Sequence, residues 1–556
     1  MCGIFASLSA SHHVHPDAGT LQLLRSRGPD SSRGLEQQIP TYPPVHATFH
    51  STVLALRGTD VVAQPLYDKV SGSILCWNGE AWQIDDRQVQ GNDSESVFAL
   101  LLAACDANIE EPNSSKYSAI IRAISRIRGP YAFVFYDAQR QRLFFGRDCL
   151  GRRSLLHTTN ESGDFILSSV CDKSVSATWA EVEADGVYVL GLPSPEGKFS
   201  ASRIPYVYES DQDPSQDQLV IDAPHPTLSL LSPSVKALDS HLRHSLSLRL
   251  QRRTLPYHED TNQAQSKIAV LFSGGLDCTI LARLAHEMLP QGVPIDLLNV
   301  AFENPRITQA RNGAADENYS PYEVCPDRIT GRSSYAELCK VCPGRKWRFV
   351  EINIPFSETM SHRPRVISLM HPHATEMDLS ISFALYFAAR GSGLISQTGQ
   401  DIFSEYICPA HVLLSGLGAD ELFGGYQRHA TAFSRNGFEG LVNELDLDIN
   451  RLGKRNLGRD DRVISNWGKE ARFPYLDESL LAWALDAPVW EKCGFGQEPT
   501  FDKECCSIEP GKKVLRLLAW NLGMKQLALE KKRAIQFGAR TAKMETGKTK
   551  GTHAIV

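Results

Sequence analysis

No stretch of this 556-residue chain comes near the ~18 consecutive apolar residues that a membrane span requires. An excess of positive charge is missing too. Its 58 Lys and Arg against 64 Asp and Glu leave a formal net charge of −6, which argues against a general nucleic-acid binder. The opening MCGIFASLSASHH lacks the basic region of a signal peptide and runs into histidines and a turn. Thirteen cysteines, an odd number, spread from Cys2 to Cys506, fit reduced thiols better than a disulfide framework. The expected location is therefore cytoplasmic. Internal repeats are also absent. With 42% apolar residues, the chain has ample material for two or three domains at roughly 100–200 residues each.

What is present divides the chain. Up to residue 190, short apolar or alternating runs at 2–8, 53–57, 73–77, 131–136, 142–145 and 165–168 are separated by Gly, Pro, Asn and Asp. Helical periodicity interrupts them at 94–104 and 117–127, so a mixed layered domain with mainly antiparallel strands is expected. Residues 191–233 are dense in Pro, Ser, Asp and Gln and read as a linker. From Val235 the pattern becomes α/β. A helix at 235–252 is followed by a buried strand at 267–272, a Gly274–Gly275 turn, and a helix whose stripe is Leu276, Ile280, Leu281, Leu284, Ala285 and Met288. A second stripe, Met377, Ile381, Ala384, Leu385 and Ala388, precedes a strand at 411–414. Such alternation predicts a parallel sheet with its ligand site at the carboxyl edge. Residues 306–345 read as a polar insertion, and 541–556 as a disordered tail.

The chemistry begins at Cys2. Removal of Met1 would give one residue both a thiol and an α-amine, whose ordinary pKa values of ~8.5 and ~7.7–8.0 let the amine serve as base. Alone, such a cysteine is more often a buried thiol. Its company is what matters: MCGIF, RGPDS (27–31), WNGE (77–80), GNDSE (91–95) and GRDCLGRRSL (146–155). This set resembles the class II glutaminase domain of asparagine synthetase and related amidotransferases, and implies an N-terminal nucleophile (αββα) fold over residues 2–190. The resemblance implies that Cys2 attacks glutamine, with Asn78 and the Gly79 N–H forming the oxyanion hole. It further implies that Glu80 and Asp93 pair with the glutamine ammonium and that Arg57, matched by position, clamps its carboxylate. Arg27 and Arg147 read as buried residues that hold turns.

LFSGGLDC (271–278), between a strand and a helix, offers backbone N–H groups to an anion. It resembles the phosphate (PP-)loop of ATP pyrophosphatases, and with LLSGLGADELFGGY (413–426), EARFPYLD (470–477) and GKKVLR (511–516) it resembles the asparagine synthetase branch, over residues 234–540. The resemblance implies ATP at Leu271, Ser273, Gly274, Gly275, Asp277, Cys278, Val300, Ser415 and Gly416, with Mg²⁺ at Asp277 and Asp420. Lys512 would neutralise phosphate charge, and glutamine, ATP and aspartate would be the substrates. A homodimer is among the options left open. Three positions depart from the family: Cys278 replaces a serine, Leu417 a glutamate and Asn456 an acid. These departures, with RNLGRDDR (455–462) and KKRAIQFGAR (531–540), resemble the divergent asparagine synthetase domain-containing group. The readings that follow are an amidotransferase acting on aspartate, a nucleotide-binding regulatory or scaffolding protein, a ligase for another carboxylate, and a bare glutaminase between them. Cys325, Cys339 and Cys342 lack a convincing fourth ligand for zinc. Ser415 is not in a GxSxG elbow.

Overall fold

The computed structural model describes residues 1–41, 44–110, 118–172, 178–191, 199–206, 226–250, 266–309, 320–396, 403–497, 508–544 and 551–555. The Cys505–Cys506 pair lies outside these residues.

Two six-stranded antiparallel sheets stack in the first half. One places Gly3–Ser9 between Phe165–Ser168 and Val45–Val53, and the other places Tyr131–Asp137 between Ile74–Gly79 and Arg142–Arg147. Alternation sorts their side chains. Ile4, Ala6 and Leu8 face Cys76, Val134 and Phe145 across a dry interior, while Trp77, Phe133 and Phe135 turn outward onto the helices Asp93–Glu110 and Ser118–Ser125. The helix Ala18–Arg27 lies against the outer face of the first sheet through Leu23, Leu24 and Phe5. The order is helix, sheet, sheet, helix. Two expectations change. The strand expected at 53–57 pairs only up to Val53, because residues 54–57 leave the sheet to line a cavity. Within the presumed linker, Ala201–Ile204 is a strand paired to Val187–Leu190, adding an edge to the second sheet.

The second half is built on a seven-stranded sheet. Five strands run parallel in the order Trp347–Ile354, Ile295–Phe302, Ile268–Leu271, Val412–Leu414 and Glu470–Arg472. The chain leaves Ile268–Leu271 toward one edge and later returns to the other side of it. Strand order thus reverses between Ile268–Leu271 and Val412–Leu414, and the loops after them part to leave a crevice. A hairpin of Ser392–Ser396 and Phe403–Ile407 extends the far edge antiparallel, with exposed Phe403 and Ile407. Its half-exposed pattern carries no strong strand signal in the sequence.

The presumed polar insertion is half a structural element. Pro326–Val341 is the crossover helix between two parallel strands, capped by Pro at its start. Its buried Arg328 bonds Asn299, Glu351 and Asn353, so the polar composition reflects satisfied interior charge. Cys325 precedes this helix and Cys342 follows it, roughly 25 Å apart at 1.5 Å per residue, which separates them as ligands for one metal. The tail expected to be disordered returns in part: the Ile555 N–H donates to the Ala374 carbonyl, and the Glu376 and Met377 N–H groups donate to His553 and Gly551. These contacts satisfy the open first turn of the helix Glu376–Arg390.

Buried charge joins the two halves. Arg27 reaches Asp461 at 2.8 Å, Arg462 reaches Glu181 at 2.6 Å, and Arg152 bonds both Glu478 at 2.5 Å and the Leu476 carbonyl at 2.8 Å. Arg147 stays within the first half, bonding the Arg153 and Val182 carbonyls. Removing one partner strands the other charge, so Asp461→Ala should lower unfolding free energy by about 3–5 kcal/mol in chemical denaturation. A second expectation concerns Asp327, whose carboxylate accepts no hydrogen bond among the described residues and whose pKa burial pushes up to about 7. The unfolded chain ionises this group near 4 but the folded chain only near 7, so its contribution to stability falls as pH rises across that window. Thermal melts should therefore show Asp327→Asn gaining more over the wild type at pH 8 than at pH 5.

Candidate functional site

Cys2 lies at the start of the central strand Gly3–Ser9, buried among Val53 and Ala55. A cavity of about 30 Å³ adjoins it, lined by Arg57, Asn92 and Asp93 from the first half and by Glu470 from the second. Met1 fills part of this space and is itself 2% exposed. Burial pushes the Met1 α-amine down to about 6 and the Cys2 thiol up, so with Met1 in place the thiol is not activated.

The strand Ile74–Gly79 brings Gly79 to the wall of this cavity, with Asn78 next to it in the strand but buried behind the lining. Gly79 is held so close to Pro130 and Tyr131 that a Cβ would meet the Pro130 carbonyl at 2.3 Å. Asn78 is fully buried, and neither its Nδ2 nor its Oδ1 has a hydrogen-bond partner. A buried orphan amide costs about 1–3 kcal/mol, an expense usually found where a ligand completes the bonding.

The other three expected residues are present but engaged. Asp93 opens the helix Asp93–Glu110, and its Oδ2 accepts from Trp77 Nε1 and the Ala81 N–H at 3.1 and 2.9 Å. Arg57 donates through its two terminal nitrogens to the Ala81 and Val89 carbonyls at 2.8 and 2.6 Å, leaving its remaining N–H bonds for a ligand. Glu80 accepts from Trp82 Nε1 at 2.6 Å and from Arg472 of the second half at 2.5 Å. Arg249 stacks on Trp82, 3.9 Å from its ring centroid. Burial pushes the Glu80 carboxyl up against the pull of Arg472.

About the crevice of the second half, a cavity of about 800 Å³ opens. Leu271, Val300, Ser273, Gly275, Cys278, Ser415 and Gly416 line it. Gly274 takes φ +79°, and a Cβ there would meet Gly331 at 2.4 Å, so the phosphate loop is pinned against the crossover helix. Gly275 then caps the helix Leu276–Met288, whose N-terminal N–H groups face the crevice. The opposing loop comes just as near: a Cβ on Gly416 would meet Asp277 Cβ at 2.8 Å. Cys278 Sγ lies 3.7 Å from Ser273 Oγ and retains a weak version of the bond a serine would make there.

Lys512 sits between the two loops. Its Nζ is 2.8 and 2.9 Å from the two oxygens of Asp277 and 2.8 Å from Asp420. Lys532 also pairs with Asp420. Burial works against all these charges, yet Asp277 and Asp420 hold the Lys512 ammonium well above the usual lysine value. The two lysines likewise hold Asp420 well below the carboxylate range. Lys512 itself is a non-glycine residue at φ 55°, a conformation maintained because its N–H bonds the Phe423 carbonyl at 2.8 Å. Asp277 and Asp420 present hard oxygen ligands in the number that Mg²⁺ takes from protein when phosphate supplies the rest, so the donor set fits that ion.

Several residues at these sites carry no role in the sequence reading. Met1, Trp82, Glu470 and Arg472 shape the first cavity, and Asp327, Lys532 and Arg459 the second. Glu470–Arg472 and Lys532 stood in motifs that were noted for likeness alone; Asp327 lay in the stretch read as an insertion. Leu417 lines the second cavity at the family's glutamate position, half-buried against the apolar core.

Comparison with known proteins identifies a family for a part of each half. Residues 1–190 match the family description "Glutamine amidotransferase domain", and residues 396–444 match "Asparagine synthase". Asparagine synthetase domain-containing protein 1 of Bos taurus is 34% identical, covering 99% of this chain and 97% of its own length. A Saccharomyces cerevisiae asparagine synthetase domain-containing protein is 32% identical over 91% of this chain and 86% of its own. The glutamine-hydrolyzing asparagine synthetase 1 of the same yeast is 25% identical over 88% and 77%. The chain belongs to the family of asparagine synthetase domain-containing proteins, which are asparagine synthase-like glutamine amidotransferases.

Proposed function

We propose that the protein hydrolyses glutamine at Cys2 and uses the ammonia to amidate a carboxylate activated by ATP, releasing AMP and pyrophosphate. The observation that carries this reading is Lys512, clasped between the phosphate-loop Asp277 and Asp420 at the point where strand order reverses. A buried ammonium so placed offsets charge that builds on a nucleotide's phosphates as pyrophosphate departs.

At the first site the Cys2 thiolate attacks the glutamine amide carbon once Met1 is gone and the new α-amine can take the thiol proton. The orphan Asn78 amide and the Gly79 N–H stabilise the oxyanion, each donor contributing about 2.7–4 kcal/mol in the transition state. Asp93 and Glu80 hold the substrate ammonium, and the spare N–H bonds of Arg57 hold its carboxylate. At the second site the N-terminus of the helix Leu276–Met288 and the loop N–H groups hold the phosphates, with Leu271, Val300, Ser415 and Gly416 at the nucleoside. Mg²⁺, held by Asp277 and Asp420, would supply charge neutralisation at the phosphate oxygens. Aspartate is the acceptor that family likeness supplies. Leu417 favours a second reading for that step, in which glutaminase activity persists and asparagine synthesis does not.

Purified protein with Mg²⁺, ATP, aspartate and glutamine, followed separately for glutamate, pyrophosphate and asparagine, tests both. Glutamate alone would rule out aspartate as the acceptor, and neither glutamate nor pyrophosphate would sink the enzymatic reading. Cys2→Ala should abolish glutamate formation while leaving ammonium-driven pyrophosphate release intact. Lys512→Met should cut pyrophosphate release at least 100-fold and change glutaminase turnover by only a few-fold. Intact-mass analysis should find Met1 absent from the active species, and iodoacetamide should label Cys2 in that species only.

A further inference from the structure

We infer that the acceptor is not an α-amino acid but a carboxylate with an apolar body and a second anionic group; this rests on the ATP-dependent amidation proposed above. The case lies in the part of the large cavity beyond the phosphate loop. One wall there is the helix Glu376–Arg390, whose Met377, Ile381, Ala384 and Leu385 face the space while Leu379, Phe383 and Phe387 pack on the core behind. Leu417 and Leu452 line the same cavity. An α-ammonium against such a wall would lose its water and gain no counter-charge.

The carboxylates that line this end are already committed. Asp378 and Asp460 both pair with the buried Arg459, at 2.6 and 2.8 Å. Asp448 pairs with His429 at 2.8 Å and Arg428 at 2.5 Å. Glu421 stands beside Asp420 on the phosphate side, where Tyr426 donates to it at 2.6 Å. Asp327 belongs to the nucleotide end, in the helix packed on the phosphate loop. The two positions at which the family resemblance expects acids, Leu417 and Asn456, line this cavity without charge.

Asp378 and Asp460 share one cation, and two further cations at this end have no partner among the described residues. Arg451 and Arg455 line the cavity, and among the described residues neither has an ion-pair or hydrogen-bond partner. Arg451 precedes and Arg455 lies within a break in helix geometry: Gln427–Leu452 passes through a π-helical turn, Gly453–Leu457, into the helix Gly458–Ser465. Such turns recur at ligand sites because they redirect side chains at the cost of helix regularity. An acceptor would lay its reacting carboxylate toward the phosphate loop, its methylenes along Ile381 and Leu417, and its distal anion at the arginines. The step balances without a further reagent. A carboxylate oxygen attacks the α-phosphorus and pyrophosphate leaves. Ammonia then attacks the acyl carbon, AMP leaves, and one proton is released.

The test uses the full chain with Mg²⁺, ATP and saturating ammonium chloride, which bypasses Cys2, and compares L-aspartate, hexanoate and adipate as probes. Pyrophosphate release should be at least tenfold more efficient with adipate than with aspartate, and hexanoate should fall between them. In the double variant Arg451→Ala/Arg455→Ala, the adipate-to-hexanoate ratio of kcat/KM should drop at least tenfold. Leu417→Glu/Asn456→Asp should gain aspartate-dependent release. Aspartate matching adipate in the wild type, or an unchanged ratio in the arginine variant, overturns the inference. Equilibrium dialysis with labelled ATP separates the two levels: no ATP binding sinks the parent reading, whereas bound ATP with no release from any probe sinks the acceptor inference alone.

Discussion

Three residues of one short strand, Glu470–Arg472, set the relation between the two halves. The strand pairs in parallel with Val412–Leu414, and the Arg472 carbonyl accepts from the Ser415 N–H at 2.9 Å at the mouth of the large crevice. The Arg472 side chain points the other way, to Glu80 beside the Cys2 cavity, and Glu470 lines that cavity while pairing with Arg153 at 3.2 Å. These groups are at most 5% exposed. Buried charges at this depth repay their desolvation only when every partner is in place, so the seam tolerates little relative movement of the halves. Glycine at 79 and 416, and the cluster of arginines from 147 to 153, make sense as fittings around it.

The two cavities differ in a way that follows from their walls. Around Cys2 the polar groups are dense and mostly engaged, and one amide, Asn78, is left waiting. In the crevice, opposite charges meet at the phosphate loop while an apolar helix face lines the far side. The first arrangement suits one small polar substrate held at many points. The second suits a ligand with a charged end and a greasy one.

Motifs with backbone consequences were legible in the sequence. Residues 271–278 demand a strand, a tight turn and a helix because Gly274 must adopt positive φ and Gly275 must cap. The strands at 131–136 and 165–168 were legible because alternation and turn residues agree there. The crossover helix Pro326–Val341 was not, since its interior polar residues are paid for by Asn299, Glu351 and Asn353, which lie elsewhere in the chain. The strand Ala201–Ile204 hid inside a Pro- and Ser-rich stretch because an edge strand needs only one partner and little burial. Of the site, Arg472 with Glu80 across the halves and Lys532 with Asp420 within the second are pairs separated by more than a hundred positions, and no local pattern encodes them. Residues 1–190 are matched throughout by the amidotransferase family, whereas the synthase match spans only 396–444, so recognition was uneven as well.

Met1 is sealed in the folded chain, beside a strand at the centre of its sheet and under a carboxylate from the far half. A peptidase needs an extended, reachable N-terminus. On the proposed mechanism, the trimming that would free the Cys2 amine has access to Met1 only before the second half covers it. Under that mechanism, a chain that folded with Met1 still attached would keep the Cys2 amine blocked.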